Sequence, residues 1–315
     1  MIIEHESEVT AAVLAELQGA DDPRFVEIMT AAVRHLHGFV RDARLTEAEF
    51  HQACSWIAQL GQHTTPSHNE VVLAAGSLGV SALVCLLNNA ADGPTTANLL
   101  GPFWRDGSPA MDSGASIVRS PTPGLPLFVN AWVRDRAGRP VEGARVDVWQ
   151  SSGEGFYENQ DPAQADMNLR GRFTTDAQGR IAFRSVKPAG YPIPVTGPAG
   201  ALLRAQGRHN MRPAHIHFLI HKAGFKTQCS QVYSSDDPNL DTDVQFGVTR
   251  ALVGQYVLHD EAAPAADVTG PWTTLDHHFV LLPGEARLPR APITAKAAGE
   301  RPILTRIHSK EHPTP

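Results

Sequence analysis

The sequence predicts a mixed, mainly β fold: an antiparallel β-sandwich preceded by an α-helical N-terminal part. Up to about residue 90, apolar residues recur at three- and four-residue intervals, the period of a helix face. From about residue 126 they alternate instead, the period of a strand with one buried face. The alternating runs are short and separated by turn-forming residues, drawn from 26 Gly and 24 Pro. No long helical pattern sits between them, which disfavours a parallel α/β sheet.

The elements follow in order. Phe25, Ile28, Met29, Ala32, Val33, Leu36, Phe39 and Val40 form an apolar stripe on one helix. Thr46 with Glu49 has the spacing of a capping box, in which each residue satisfies an orphan amide of the other, so a further helix starts there. Its apolar positions include Phe50, Cys54, Ile57 and Leu60. Ser67 with Glu70 repeats the signature ahead of one longer run, Val71 to Leu87, which Gly76 and Gly79 interrupt. ADGPTT (residues 91–96) reads as a linker, and LLGPFWRDGSP as turn-rich chain. This places a domain boundary near residue 95, with helices over 1–95 and the sandwich over 96–315. The strand runs include Leu127, Val129, Ala131 and Val133 on one parity, Val146 with Val148, and Ile181 with Phe183. HIHFLIH, TQCSQVY and DHHFVLL follow. From Leu288 the chain is Pro-rich and is expected to wrap the surface as irregular chain.

Composition excludes several functions. The 315 residues carry 27 Lys and Arg against 33 Asp and Glu, a formal charge of −6. That mild acidity argues against a nucleic-acid binder, which usually has a basic face. Cys54, Cys85 and Cys229 are scattered, with no C-x-x-C, and indicate neither a disulfide framework nor a structural zinc site. The start is acidic (Glu4, Glu6, Glu8) with no basic-then-apolar run, and no stretch approaches ~18 apolar residues. The expectation is a reduced, cytoplasmic protein with no membrane span.

RPAHIHFLIH is the sharpest local signal. Residues two apart on a strand point the same way, so Ile216, Phe218 and Ile220 face the core while His215 and His217 stand together on the other face, α-carbons ~6.5 Å apart. Neutral imidazoles at that spacing can share one metal ion. The alternative is a pair of ordinary strand histidines. His221 lies ~13 Å beyond His217, too far for the same ion, and His277 and His278 split across two faces. All three read as structural. No carboxylate follows H-x-H closely, since Lys222 and Ala223 come next and the nearest acids are Asp236 and Asp237. A two-His-one-carboxylate iron site or a zinc hydrolase site therefore lacks an evident third ligand. The chain has four tyrosines. Tyr157 and Tyr191 occupy Gly/Pro-rich loops where packing does not demand a phenol, and phenolate suits ferric iron. The alternative for each is a ring that covers apolar surface.

At these residues the sequence resembles the intradiol ring-cleavage dioxygenases of the hydroxyquinol and catechol type. The matching motifs are LLGPFWRDGSP, VDVWQSSGEGFYENQ, LRGRFTTDAQGR, GYPIP, RPAHIHF and QVYSSDDPNL, in the family's order across most of residues 95–285. The resemblance implies one non-haem Fe(III) per chain, with Tyr191 and His217 axial and Tyr157 and His215 equatorial. It implies catalytic roles for Arg212 and Gln231 beside the metal, with Tyr191 also acting as an internal base. It implies a ring pocket lined by Leu99, Leu100, Gly101, Pro102, Phe103, Ile193, Pro194 and Arg212, with Ala82 and Cys85 from the last N-terminal helix. The substrates implied are an aromatic diol and O2. The pattern is closest to hydroxyquinol (1,2,4-trihydroxybenzene) dioxygenases, with catechol or a substituted catechol as the alternative, because Cys85 stands where many hydroxyquinol enzymes carry an aspartate. A homodimer joined through the N-terminal helices, with a phospholipid in an apolar tunnel there, is also implied. The competing class is a non-catalytic β-sandwich binding module with incidental histidines.

Overall fold

The computed structural model describes residues 2–89 and 95–308, so Ala91–Pro94 of the expected linker lie outside the described residues. Two compact units are present, Met1–Ala58 and Gln59–Pro315.

The first unit holds α1 (Glu8–Glu16), α2 (Pro23–Ala43) and the start of α3 (Glu47–Gln62). Asp22 caps α2 by accepting the Arg24 amide at 2.9 Å, with Pro23 at the first helical position. Thr46 and Glu49 close the predicted capping box: the Glu49 carboxylate accepts the Thr46 amide at 2.9 Å, and the Thr46 hydroxyl accepts the Glu49 amide at 3.3 Å. Thr10 is bound by Arg41 at 2.6 Å and lies 3.0 Å from His37 Nδ1, which ties α1 to α2. The predicted α2 stripe is largely uncovered within the chain. Val33 is its one buried member, while Phe25, Ile28, Leu36, Phe39 and Val40 are exposed. The nine-residue α1 is too short to cover the 21-residue α2.

In the second unit the run Val71–Leu87 is two helices, α4 (Glu70–Ser77) and α5 (Val80–Asn89), bent by 75°. Gly79, at φ 74°, makes the break, because that left-handed backbone is open to glycine at no steric cost. The second capping box does not form. Asn69 caps α4 by accepting the Val72 amide at 3.0 Å, and Glu70 turns inward to His68 at 2.5 Å and to the Ala199 amide at 2.8 Å. Glu70 thereby caps α6 (Pro198–Ala205) and is itself buried. No single described helix is long and apolar enough to cross a membrane.

The strands are β1 (Pro126–Asp135), β2 (Arg145–Gln150), β3 (Arg170–Thr174), β4 (Arg180–Val186), β5 (Tyr191–Pro192), β6 (Met211–Arg212), β7 (His215–His221), β8 (Gln228–Ser234), β9 (Val253–Gly254), β10 (Tyr256–His259) and β11 (Trp272–Leu281). One sheet has the order β10-β11-β1-β4, the other β3-β2-β7-β8-β9, and β5 pairs β6 separately. Pairing is antiparallel except for β1 with β11 and β8 with β9, which run parallel. The alternating residues meet between the sheets: Leu127, Val129, Ala131 and Val133 of β1 share one core with Val146 and Val148 of β2 and Ile216, Phe218 and Ile220 of β7. Phe218 packs 4.8 Å from Phe279 and 6.3 Å from Phe183, centroid to centroid. Each such buried side chain stabilises the fold by roughly 1.5–3 kcal/mol. That core fixes which face of β7 carries the histidines. Beyond Leu288 the described chain forms no regular element and is held locally, with the Thr294 amide on the Pro66 carbonyl at 2.9 Å.

Candidate functional site

Strand alternation puts His215 and His217 on the β7 face opposite Phe218, and both rings are fully buried. The His215 Nδ1 lies 2.7 Å from the Pro213 carbonyl, so Nδ1 carries the proton and the Nε2 lone pair is free. His217 stacks on Trp149 at 4.5 Å and 9°. The two Nε2 atoms are 3.1 Å apart. The Tyr157 hydroxyl, delivered by the loop after β2, sits 3.3 Å from one and 3.1 Å from the other. Three ligand-type atoms thus form a triangle of 3.1–3.3 Å edges. Tyr191 joins from β5, with its ring 5.2 Å from Tyr157 and 5.7 Å from His215.

This set fits a metal ion. Donors at roughly 2.0–2.2 Å from a common ion stand about 3–3.4 Å apart, the spacing found here. Among the described residues no group of three or more His, Cys, Asp or Glu side chains converges as a metal site, so a carboxylate-based shell has no counterpart. Two phenols and two imidazoles suit a hard, highly charged ion such as ferric iron. Burial pushes the Tyr157 phenol well above its ordinary range, reinforced by the neighbouring Tyr191, and raises Tyr191 as well. Burial, with Arg212 nearby, lowers His215 to about 3 and takes His217 well below its usual value. The imidazoles are therefore neutral, the form that binds metal, while the phenols need a nearby cation to ionise.

Arg212 lies on β6, directly paired with Tyr191 on β5. Its own short strand, ended by Pro213, is why β7 parity could not place it. The guanidinium is buried and fully engaged: Nε and Nη2 donate to the two Asp243 oxygens at 3.0 Å each, and Nη2 donates to Gln231 Oε1 and Tyr233 Oη at 2.9 Å each. Nη1 faces His215 Nε2 at 3.4 Å. Burial opposes its charge, but Asp243 outweighs burial and holds its pKa well above the usual value. Gln231 passes the link onward, donating to the Leu99 carbonyl at 2.7 Å.

Leu99–Gly101 also lines a cavity of about 970 Å³. Gly101, at φ 71°, lets the backbone lie against the site, since a Cβ there would sit 3.3 Å from His217 Cε1. Leu99, Leu100, Gly101 and Cys85 line the cavity, together with Gln245 and residues 287–294. Tyr157, Tyr191, His215 and His217 are not among the residues that line it. Of the remaining pocket candidates, Ala82, Pro102, Phe103, Ile193, Pro194 and Arg212 do not line it. Phe103 packs its ring 4.5 Å from Tyr157 and 6.3 Å from Tyr191 instead. His221 bonds Thr227 at 2.8 Å, and His278 stacks on Trp132 at 4.8 Å, both away from the cluster.

Sequence reasoning missed several participants. Asp243 lies in an acid-rich loop that reads as surface, and only its burial beside Arg212 marks it. Tyr233, paired with His215 across β7 and β8, is a buried phenol of the same network. Glu158 is clamped by Arg105 at 2.8 Å and Arg170 at 2.7 Å, which fixes the residue next to Tyr157. Arg170 was legible only as part of LRGRF.

The model described as Dioxygenase matches residues 99–281, and the model described as Catechol dioxygenase N terminus matches residues 22–96. Hydroxyquinol 1,2-dioxygenase of Rhizobium sp. (strain MTP-10005) is 39% identical over 281 residues, 88% of this chain and 95% of that one. Among solved structures, hydroxyquinol 1,2-dioxygenase from Pseudomonas putida DLL-E4 superimposes with a TM-score of 0.77 at 37% identity, covering 89% of this chain and 99% of that one. Catechol 1,2-dioxygenase from Pseudomonas arvilla C-1 gives 0.76 at 30% identity, covering 96% and 98%. With sandwich, helical segment and both domain signatures in agreement, the chain belongs to the intradiol ring-cleavage dioxygenases, a family generally dependent on non-haem iron.

Proposed function

We propose that this chain is a hydroxyquinol 1,2-dioxygenase, opening 1,2,4-trihydroxybenzene between its adjacent hydroxylated carbons with both atoms of O2 to give maleylacetate. The observation that carries this reading is the convergence of the Tyr157 phenol and two imidazoles at ligand spacing, with the Tyr191 ring beside them, in a chain 39% identical to a hydroxyquinol enzyme. Tyr157, Tyr191, His215 and His217 hold one non-haem Fe(III). When bound, that ion supplies Lewis-acid activation of the diol and a template that orients it for O2.

The protein's own groups do the rest. Tyr191 would be the proton acceptor: a bound cation would hold it as phenolate, and the burial that raises its pKa would retain a diol proton once taken up at Oη. Arg212 keeps a fixed positive charge in a dry site, where it stabilises negative charge developing on the ring oxygens. Gln231 couples that cation to the Leu99 carbonyl and so to the pocket wall. Leu99, Leu100 and Gly101 present apolar surface and backbone to the ring. Pro102, Phe103, Ile193 and Pro194 back this wall, and Cys85 faces the ring from α5, with Ala82 one turn before it on the same helix. Residues 1–95 serve as the helical dimerisation part and 96–315 as the catalytic part. The exposed apolar side chains Phe25, Ile28, Leu36 and Phe39 support a homodimer joined there, with an apolar tunnel for a phospholipid.

A catechol or substituted catechol is the second reading, favoured by Cys85, whose thiol offers a third hydroxyl little. Oxygen uptake with hydroxyquinol, catechol, chlorocatechols and protocatechuate at equal concentration decides. Fastest uptake with hydroxyquinol supports the first reading, and fastest uptake with catechol or a chlorocatechol the second. A colourless protein without iron that consumes no oxygen overturns both.

A further inference from the structure

The Tyr157 phenol rides on residues 151–169, which form turns but no strand or helix. A metal ligand on such chain needs contacts from elsewhere to keep its place. Arg105 and Arg170 clamp Glu158 from the sandwich. Further contacts come from the irregular chain beyond Leu288. The Ala297 amide donates to the Asn159 carbonyl at 2.7 Å, and Lys296 Nζ donates to the Pro162 and Gln164 carbonyls. Arg301 makes three contacts at once. Its Nη2 donates to Glu154 Oε2 at 2.7 Å, its Nε pairs with Asp161 Oδ2 at 3.0 Å, and its Cζ lies 4.1 Å from the Phe156 ring centroid. Glu154, Phe156 and Asp161 bracket Tyr157 in the chain, and Asp161 is buried. The same segment then reaches the ladder that carries Tyr191. The buried Asn210, next to β6, donates to the Thr305 carbonyl at 2.9 Å and accepts the Ile307 amide at 2.8 Å. It also donates to the Ile193 carbonyl at 2.8 Å, two residues beyond Tyr191. Between these anchor points, a Cβ on Gly155 would meet Tyr191 Cβ at 3.1 Å and Leu304 Cδ1 at 3.4 Å. All of these C-terminal residues lie beyond the matched family domain, which ends at residue 281.

We propose that residues 294–307 are a strap that fixes both phenol-bearing segments around the metal, with Arg301 as the positioning residue for Tyr157. This rests on the functional reading above, since it requires Tyr157 to be a ligand. Arg301 acts through its three partners, by holding the turns on either side of the phenol. A guanidinium suits the task, because its planar fork fixes direction where an ammonium fixes only distance. Each contact is weak by itself at a part-exposed position, and the three together limit how far the segment can swing.

The test follows iron release from the full-length, iron-loaded protein into excess EDTA, read as loss of the phenolate-to-iron visible band. Arg301→Ala is expected to shift that band and to release iron about tenfold faster than wild type, the combined size of two part-exposed ion pairs and a cation–π contact. Glu154→Ala removes one arm and is expected to release iron about threefold faster. Because both changes break one shared contact, the double variant is expected to be no faster than Arg301→Ala alone. Arg184→Ala breaks a comparable ion pair on β4, Arg184 to Asp267 at 2.7 Å, and is expected to stay within about twofold of wild type. A band at the wild-type position in Arg301→Ala, or release within about twofold of wild type, overturns the inference. Equal acceleration in Arg184→Ala, or effects that multiply in the double variant, also overturn it. If Arg301→Ala does not fold, Glu154→Ala decides alone. A wild type that takes up no iron overturns the strap and the functional reading together, whereas equal retention in wild type and variants overturns the strap alone.

Discussion

Asp243→Asn tests whether the buried pair with Arg212 holds the site together. Both side chains are almost completely buried, and the Asp243 carboxylate accepts four hydrogen bonds: Arg212 Nε at 3.0 Å, Arg212 Nη2 at 3.0 Å, the Gly247 amide at 2.9 Å and the Gln245 amide at 3.2 Å. Asparagine keeps the shape but removes the charge. An NH2 in place of Oδ2 also faces two donors. Removing one partner of a buried ion pair costs ~3–5 kcal/mol. At ~2–4 °C per kcal/mol for a chain near this size, the midpoint of thermal unfolding falls by roughly 6–20 °C. The pH dependence gives an independent check. Burial opposes ionisation of Asp243, but Arg212 outweighs it and holds the folded pKa below the ordinary value. The carboxylate therefore contributes stability that is fully present above its unfolded pKa of ~3.9 and is lost as pH falls through the lower, folded value. The gap between wild type and variant should be full at pH 7 and narrow below about pH 4. The assay is thermal unfolding followed by circular dichroism across that range. A variant melting within about 2 °C of wild type at pH 7, or a gap constant down to pH 3, would refute the reasoning.

Two further outcomes are expected. Tyr191→Phe keeps the fold, because only a hydroxyl is lost, but shifts or bleaches the phenolate-to-iron visible band and removes most turnover; unchanged absorption and rate would take Tyr191 out of the metal shell. Gly101→Ala places a methyl 3.3 Å from His217 Cε1 on a backbone at φ 71°, so iron content after purification falls at a thermal stability reduced by about 1–3 kcal/mol; wild-type iron occupancy would show that His217 is not held by this close approach.

The fold was legible wherever one face of an element is buried in the chain itself. Leu127, Val129, Ala131 and Val133 alternate in the sequence because they alternate between core and outside. The same rule brought His215 and His217 together from their spacing alone. At α2 periodicity reported an apolar face but not what covers it. It also missed the bend at Gly79, which needs a positive φ that composition only suggests. Tyr157 and Tyr191 were candidates by residue type, since their loops carry no periodic signal. Asp243 gave none, because its role arises from contact with Arg212, more than thirty residues away.

Tyr191 and Arg212 face each other as partners in a ladder only two residues long. Main-chain pairing fixes the spacing of their α-carbons, so phenol and guanidinium project from one backbone frame. A ligand that swings the ring aside must work against the rung that carries the positive charge. Neighbouring wall residues can then be exchanged, and the range of accepted rings altered, without moving the two backbones that carry the proposed proton acceptor and cation.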